Sequence, residues 1–183
     1  MLYTLRVHPE SRSSAVENVA AHVARQERGG VVMRYIVTGR ISELRLPRLA
    51  APARADQLWR HTCFEAFVRA RAAPDYYELN FSPSSQWAAY RFSSYRNGMT
   101  ASELSAPRIE VQSSDDRYQL QAAVELRGLE SLPGDSVWRV GLSAVIEEMN
   151  GRISYWALAH PPGRADFHHP DCFALELDAP SRA

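Results

Sequence analysis

The chain has 183 residues, 45% of them hydrophobic, enough for one domain with its own core. Its 21 basic and 21 acidic side chains cancel, and every basic one is Arg. The balance excludes a broad electrostatic grip on nucleic acid, and the absence of Lys excludes a lysine base, Schiff base or phosphate ligand. No run reaches the roughly 18 apolar residues of a membrane span. The N-terminal Met-Leu-Tyr-Thr-Leu-Arg-Val-His-Pro-Glu lacks the basic-then-apolar order of a signal peptide. The expectation is therefore a cytoplasmic protein with neither a membrane nor a nucleic-acid partner. The exclusive use of Arg reads as codon bias in a GC-rich, bacterial genome.

Period-two alternation dominates the chain. Leu2–His8 is a first strand. Val16–Arg25 fits a helix through Val16, Val19, Ala20 and Val23, or a strand through Val19, Ala21 and Val23. The Gly29-Gly30 turn favours the strand, paired with the β-branched Val31–Thr38. Leu46–Asp56, with two prolines and many alanines, reads as a long connection. Thr62–Arg69 alternates, with Phe64, Ala66 and Val68 on one face and Cys63, Glu65 and Phe67 on the other. Tyr76–Phe81 and Trp87–Ser94 follow, joined across Ser82-Pro83-Ser84-Ser85. Residues 95–116 read as a second long loop, and Tyr118–Leu126 as a strand.

Trp138–Glu148 and Arg152–His160 flank Asn150-Gly151, the pair favoured in a two-residue type I′ hairpin. That turn sets Val145 opposite Trp156, and Trp156 on the face of Val145 and Glu147. Cys172–Leu177 is a closing strand. About nine or ten strands and no convincing helix describe an all-β, antiparallel two-sheet sandwich with long loops. The domain is expected to span 1–178, with a flexible tail at 179–183. Cys63 and Cys172 belong to no CxxC and read as buried free thiols.

Three stretches are unusual for a plain sandwich: Leu58–Phe67, Glu78–Phe92, and Trp156–Pro162 running on to Asp171. The first places a Trp before a Glu set in an apolar strand, and the last ends Phe-His-His-Pro-Asp-Cys-Phe, Phe167 to Phe173. Together they resemble the family 9 carbohydrate-binding modules and the DOMON-like domains, immunoglobulin-like sandwiches that bind sugars or haem. The resemblance covers residues 30 to 177. It implies a non-catalytic module for a carbohydrate or sugar-like small molecule, gripped between aromatic rings and polar side chains. Carried over by position, the ligand residues are Trp59, Glu65, Trp87, Arg91, Phe167 and His168. No second Trp stands in the C-terminal loop, where Phe167, His168 and His169 take its place.

Each residue also has a structural reading. Trp87, Trp138 and Tyr90 sit in alternating strands, where core is the commoner fate. Trp59 divides between pocket rim and core edge. Glu65, if inward, needs a partner, and Arg60 or Arg91 is the candidate. The haem-binding branch is the alternative function, with Met33, Met99 or Met149 and His61 or His160 as axial ligands; otherwise no cofactor is expected. Asp166, His168, His169, Asp171 and Cys172 are metal-ligand types, but adjacent His side chains on extended backbone point apart, so no metal site is expected. A scaffold domain without a small ligand is a third reading. The sequence holds no G-x-S-x-G, H-E-x-x-H or phosphate loop. An enzyme would need a pair such as Glu65 with Glu78, which the sequence does not single out.

Overall fold

A computed structural model describes residues 1–26 and 29–180. Among these, twelve strands form: β1 (Tyr3–Val7), β2 (Val16–Arg25), β3 (Gly30–Gly39), β4 (Cys63–Ala70), β5 (Tyr76–Phe81), β6 (Trp87–Phe92), β7 (Thr100–Ala101), β8 (Arg108–Ser113), β9 (Arg117–Glu125), β10 (Trp138–Glu147), β11 (Ile153–Ala157) and β12 (Leu175–Leu177). All strand pairings are antiparallel, in the order β7-β6-β5-β4-β10-β11-β1-β2-β3-β9-β8, with β12 beside the start of β10. The expected tail lies from residue 181 outside the described residues.

The expected pair of separate sheets is instead one continuous sheet, curled into a half-barrel. Strand β1 makes the connection. Its first part, Tyr3 to Leu5, pairs with β2, while Arg6 and Val7 pair with β11. The two wings then face each other across a common core. One supplies Val19, Met33, Tyr35, Leu120 and Ala122; the other Phe64, Ala66, Leu79, Leu142 and Ile146. Tyr35 ties them directly: its hydroxyl donates to Glu65 O at 2.6 Å, and its ring lies 5.1 Å from that of Phe64.

The wings differ in what covers their outer faces. Strand β3 alternates buried and half-buried residues along its length, as a sheet with one wet face should. Strand β5 is buried at all six positions, and β4 at its first six. Their outer face carries a second apolar cluster, with Phe67, Tyr76, Tyr90, Phe92 and Val145 covered by Phe167 and Phe173 of the C-terminal segment.

Two expectations change. The Asn150-Gly151 hairpin is not a two-residue turn. Glu147 pairs with Ile153, and Glu148 N donates to Arg152 O, so Met149, Asn150 and Gly151 form a three-residue loop with Gly151 at φ +83°. One added loop residue shifts the register by one and exchanges the faces. Val145 therefore faces Tyr155, and Trp156 faces Ala144, turned toward the core. The second change is that the expected 95–116 loop holds two strands, the short β7 beside β6 and the longer β8. Strand β8 is an edge strand in which Ile109 and Val111 are only half-buried, so backbone pairing with β9, not burial, defines it.

Glu148 anchors the start of β2 to this hairpin. It is buried, and burial works against its charge. Hydrogen bonds from Ser13 Oγ, Ser14 N, Ala15 N and Ser14 Oγ outweigh that cost and hold the carboxyl down to about 2. A carboxyl depressed in the folded state stabilises fully above its ordinary value of 4.5 and loses that contribution as pH falls toward 2. Glu148→Ala is expected to cost about 2–3 kcal/mol at neutral pH, from the loss of charge-assisted hydrogen bonds. Urea denaturation of both proteins across that acid window checks it: the gap should narrow as pH falls.

Candidate functional site

The outer face of β4, β5, β6, β10 and β11 is the floor of a cavity of about 320 Å³. The volume sits at the lower end of the roughly 300–1,000 Å³ typical of small-molecule sites. Its lining includes Glu65 from β4, Glu78 from β5, Phe92 from β6, Val145 from β10 and Tyr155 from β11. Trp59 approaches from the turn before β4, Arg96 and Met99 from the turn after β6, and Ala165, Phe167 and His168 from the C-terminal loop.

The loop is fastened by one carboxylate. Asp166 accepts from Arg96 Nε at 3.1 Å and Nη2 at 2.7 Å, from the Tyr95 hydroxyl, and from His168 N at 3.1 Å. Burial opposes its charge, but the Arg96 and Tyr95 hydrogen bonds prevail and its pKa lies below the usual value. Arg96 holds a left-handed φ of +53°. A second fastening is steric. Gly141 in the middle of β10 lies directly under the turn Pro170–Cys172, where a Cβ would come within 2.8 Å of Cys172 O.

The polar groups of the floor are arranged in series. Arg96 N donates to the Tyr76 hydroxyl at 3.1 Å, and that hydroxyl contacts His168 Nδ1 at 2.8 Å. Burial first of all pushes Tyr76 up to about 12, so the hydroxyl keeps its proton, and with its oxygen accepting from Arg96 N it is placed to donate to Nδ1. The His168 proton is thereby assigned to Nε2, which faces Glu78 Oε2 at 3.7 Å. Burial, helped by the charge of Arg96, lowers His168 to about 4, so its ring is neutral. That ring stands edge-on to Phe67, Tyr76 and Phe92.

Glu65 and Glu78 are the unusual pair. Glu65 is opposite Asn80 in the β4–β5 register, which makes Glu78 its diagonal neighbour on the same face. They are only 3% and 5% exposed. Asn80 Nδ2 donates to Glu78 Oε1 at 2.7 Å, while Glu65 Oε1 is buried with no hydrogen-bond partner. Burial raises the pKa of both carboxyls, and the neighbouring charge of Glu78 raises Glu65 further; the Asn80 hydrogen bond and Arg96 pull Glu78 partly back.

Four of the six expected ligand residues meet here: Trp59, Glu65, Phe167 and His168. Trp59 belongs to the rim: it is 38% exposed in the turn Leu58–Arg60, edge-on to Tyr90 at 6.0 Å. Trp87 and Arg91 do not line the cavity. Trp87 faces the core under the Arg54 guanidinium. Arg91 binds Asp75, Glu130 and Ser131 instead. Neither Arg60 nor Arg91 pairs with Glu65. Strand parity is the reason for Arg91: it shares the side of Ala89 and Trp87, opposite to Tyr90.

The metal-type residues also disperse. His168 turns into the floor, His169 caps the turn Pro170–Cys172 and lies 3.6 Å from Asp171, and Asp166 is held by Arg96. Among the described residues no three His, Cys, Asp or Glu are placed to hold a metal ion. Both cysteines are free and buried. The haem ligand pairs do not fit either. Met33 is inside the core, Met149 projects from the hairpin, His61 binds Glu147 and His160 binds Arg6 O. Met99 does reach the cavity, but the histidine there is engaged by Tyr76.

Sequence reasoning missed Tyr155 through the one-residue register error. Phe92 and Glu78 were legible as alternation partners of Tyr90 and Tyr76. Arg96 and Met99 come from an irregular turn that carries no periodic signal.

No protein-family model matches the sequence, and no curated protein does. Solved structures do. A candidate carbohydrate-binding protein from Bacteroides uniformis superposes with a TM-score of 0.67 at 12% identity, over 94% of this chain and 83% of the other. A family 9 carbohydrate-binding module from Caldicellulosiruptor kristjanssonii, in complex with glucose, gives 0.58 at 12% identity over 100% and 85%. A family 9 module from the same organism, in complex with cellotriose, gives 0.50 at 11% identity over 89% and 74%. The chain shares its fold with the family 9 carbohydrate-binding modules. The likeness is one of backbone path at low identity, so the chemistry of the cavity has to be argued from its own residues.

Gly141→Ala tests how the cavity is roofed. The added methyl meets backbone, not a flexible side chain, so the C-terminal turn must move. A loss of about 1–3 kcal/mol is expected, together with faster hydrogen exchange over 166–173 and unchanged exchange in β3 and β9. Exchange mass spectrometry reads both.

Proposed function

We propose that the chain is a non-catalytic all-β module that binds a carbohydrate or sugar-like small molecule at this cavity. The observation carrying the reading is the meeting of Trp59, Phe167, Glu65 and His168 on one concave surface. Indole and phenyl rings offer apolar faces to the C–H side of a sugar ring, and carboxyl and imidazole groups offer partners to its hydroxyls. The fold shared with modules solved with glucose and cellotriose supports the same class of ligand. The cavity volume suits one or two rings in place of a long chain.

The arrangement favours binding over hydrolysis. A glycosidase sets its two carboxyls on either side of the scissile bond. Glu65 and Glu78 are diagonal neighbours on one strand pair, on the floor of the cavity and not on facing walls.

Titration calorimetry against monosaccharides and short glucans tests the reading. Trp59→Ala should weaken the bound sugar about tenfold, equivalent to roughly 1.4 kcal/mol, while Arg91→Ala should leave its affinity unchanged. A panel on which no sugar binds would overturn the carbohydrate assignment. Equal affinity in Trp59→Ala would overturn the site.

A further inference from the structure

We propose that the ligand of this cavity carries a protonated amine, and that Glu65 and Glu78 receive it; an amino sugar is the simplest such molecule. The ring portion of this inference rests on the carbohydrate reading, whereas the amine portion rests on the charge and hydrogen-bond inventory of the floor.

Every element packed around the two carboxyls contributes to that inventory. Strand β4 supplies Glu65 itself and the buried thiol of Cys63. Strand β5 supplies Tyr76, already engaged by His168, together with Glu78 and Asn80, whose amide is used twice: Nδ2 donates to Glu78 and Oδ1 faces the Cys63 thiol at 3.6 Å. Strand β6 supplies Tyr90, in register with Glu78, whose hydroxyl donates to Asp56. Strand β10 supplies Ser143, paired in register with Glu65, and β11 supplies Tyr155. The C-terminal loop supplies His168, neutral for the reason given above, and Asp166. The turn after β6 supplies Arg96, whose Nε and Nη2 are both on Asp166. Arg96 and Asp166 largely cancel. What remains is two buried carboxyls: Glu78, eased by Asn80 and the Arg96 charge, and Glu65, with no cation beside it among the described residues.

Two buried polar atoms on adjacent strands are also without partners. Glu65 Oε1 and Ser143 Oγ make no hydrogen bond, in residues 3% and 2% exposed. Leaving such atoms unpaired is costly, and for a carboxylate the cost grows with its charge. A sugar hydroxyl would satisfy one acceptor but leave the negative charge in place. An ammonium has three donors and a positive charge, and can meet both carboxyls and the serine together. The remaining walls suit it as well. The rings of Trp59, Phe92, Tyr155 and Phe167 surround the cavity, and aromatic rings attract cations through their π faces.

In the free protein, burial and the neighbouring carboxyl favour the protonated form of the pair. An arriving ammonium displaces that proton. Binding is therefore accompanied by proton release, and affinity rises with pH through the titration of the pair until the ligand's own amine loses its proton.

Calorimetric titration of the full chain with glucosamine, N-acetylglucosamine, glucose and cyclohexylamine tests the proposal, repeated in buffers of different ionisation heat. Glucosamine should bind at least about tenfold more tightly than glucose and N-acetylglucosamine, about 1.4 kcal/mol, with release of a fraction of one proton. Glu78→Gln, nearly isosteric and checked for an unchanged circular dichroism spectrum, should lower the glucosamine-to-glucose ratio and reduce the proton release, and an unchanged ratio overturns the role of the pair. Should the variant fail to fold, the pH dependence of the wild-type protein supplies the same decision. Equal binding of glucosamine and glucose, or of glucosamine and its N-acetyl form, overturns the amine inference and leaves the carbohydrate reading standing. Cyclohexylamine binding where no sugar does overturns the carbohydrate reading and upholds the amine. Failure of all four overturns both.

Discussion

Strand β4 has to be covered on both faces, and most of the architecture follows from that requirement. Cys63 to Val68 reads as an unbroken buried run in the middle of its wing. Phe64, Ala66 and Val68 are covered by the curl of the sheet, which brings the β3 and β9 side chains against them. Cys63, Glu65 and Phe67 face the other way, where no second layer of strands lies among the described residues. The C-terminal segment has to supply the cover, and it does so with Phe167, His168 and Phe173. A loop covers a sheet less completely than another sheet would, so a cavity remains between them.

Glu65 is the residue that this arrangement places under most tension. Its backbone carbonyl is used to tie the wings, through the Tyr35 hydroxyl, while its side chain is carried into the cavity floor. A carboxyl at that position does nothing for the sheet itself. Removed from water, diagonal to a second carboxyl and lacking an arginine, it opposes folding unless protonated or bound. Surrounding residues are arranged to relieve Glu78, through Asn80 and the nearby Arg96 charge, but not Glu65 Oε1. A residue that is unfavourable for the fold and lies in a cavity is best explained by what the cavity holds.

Much of this was legible in the residues. Alternation in Thr62–Arg69 assigned both faces of β4 correctly, because its side chains follow the two-residue period without a bulge. The meeting of Trp59 and Glu65 with Phe167 and His168 came from a family resemblance, not from periodicity. What was illegible has specific physical causes. Asn150-Gly151 supports a type I′ turn on paper, yet here only Gly151 of the pair has positive φ, so one residue is added and Trp156 exchanges places with Tyr155. Arg91 was credited as a ligand along with Trp87, whose strand face it shares; that face turns away from the cavity, with Trp87 in the core and Arg91 on Asp75 and Glu130. The Arg96–Asp166 pair joins residues 70 positions apart through two irregular segments, and no local pattern announces such a contact.

The cavity and its cover are also coupled through a single chain of contacts. Asp166 holds Arg96; the backbone of Arg96 holds the Tyr76 hydroxyl; that hydroxyl fixes the His168 tautomer; and His168 turns its remaining proton toward Glu78. The carboxyl pair is thus connected to the roof by hydrogen bonds as well as by packing. A neutral imidazole held in this way cannot cancel the charge of Glu78, since burial and the charge of Arg96 both keep it from taking a second proton. The same contacts that close the cavity therefore leave the carboxyl pair without a protonated imidazole beside it.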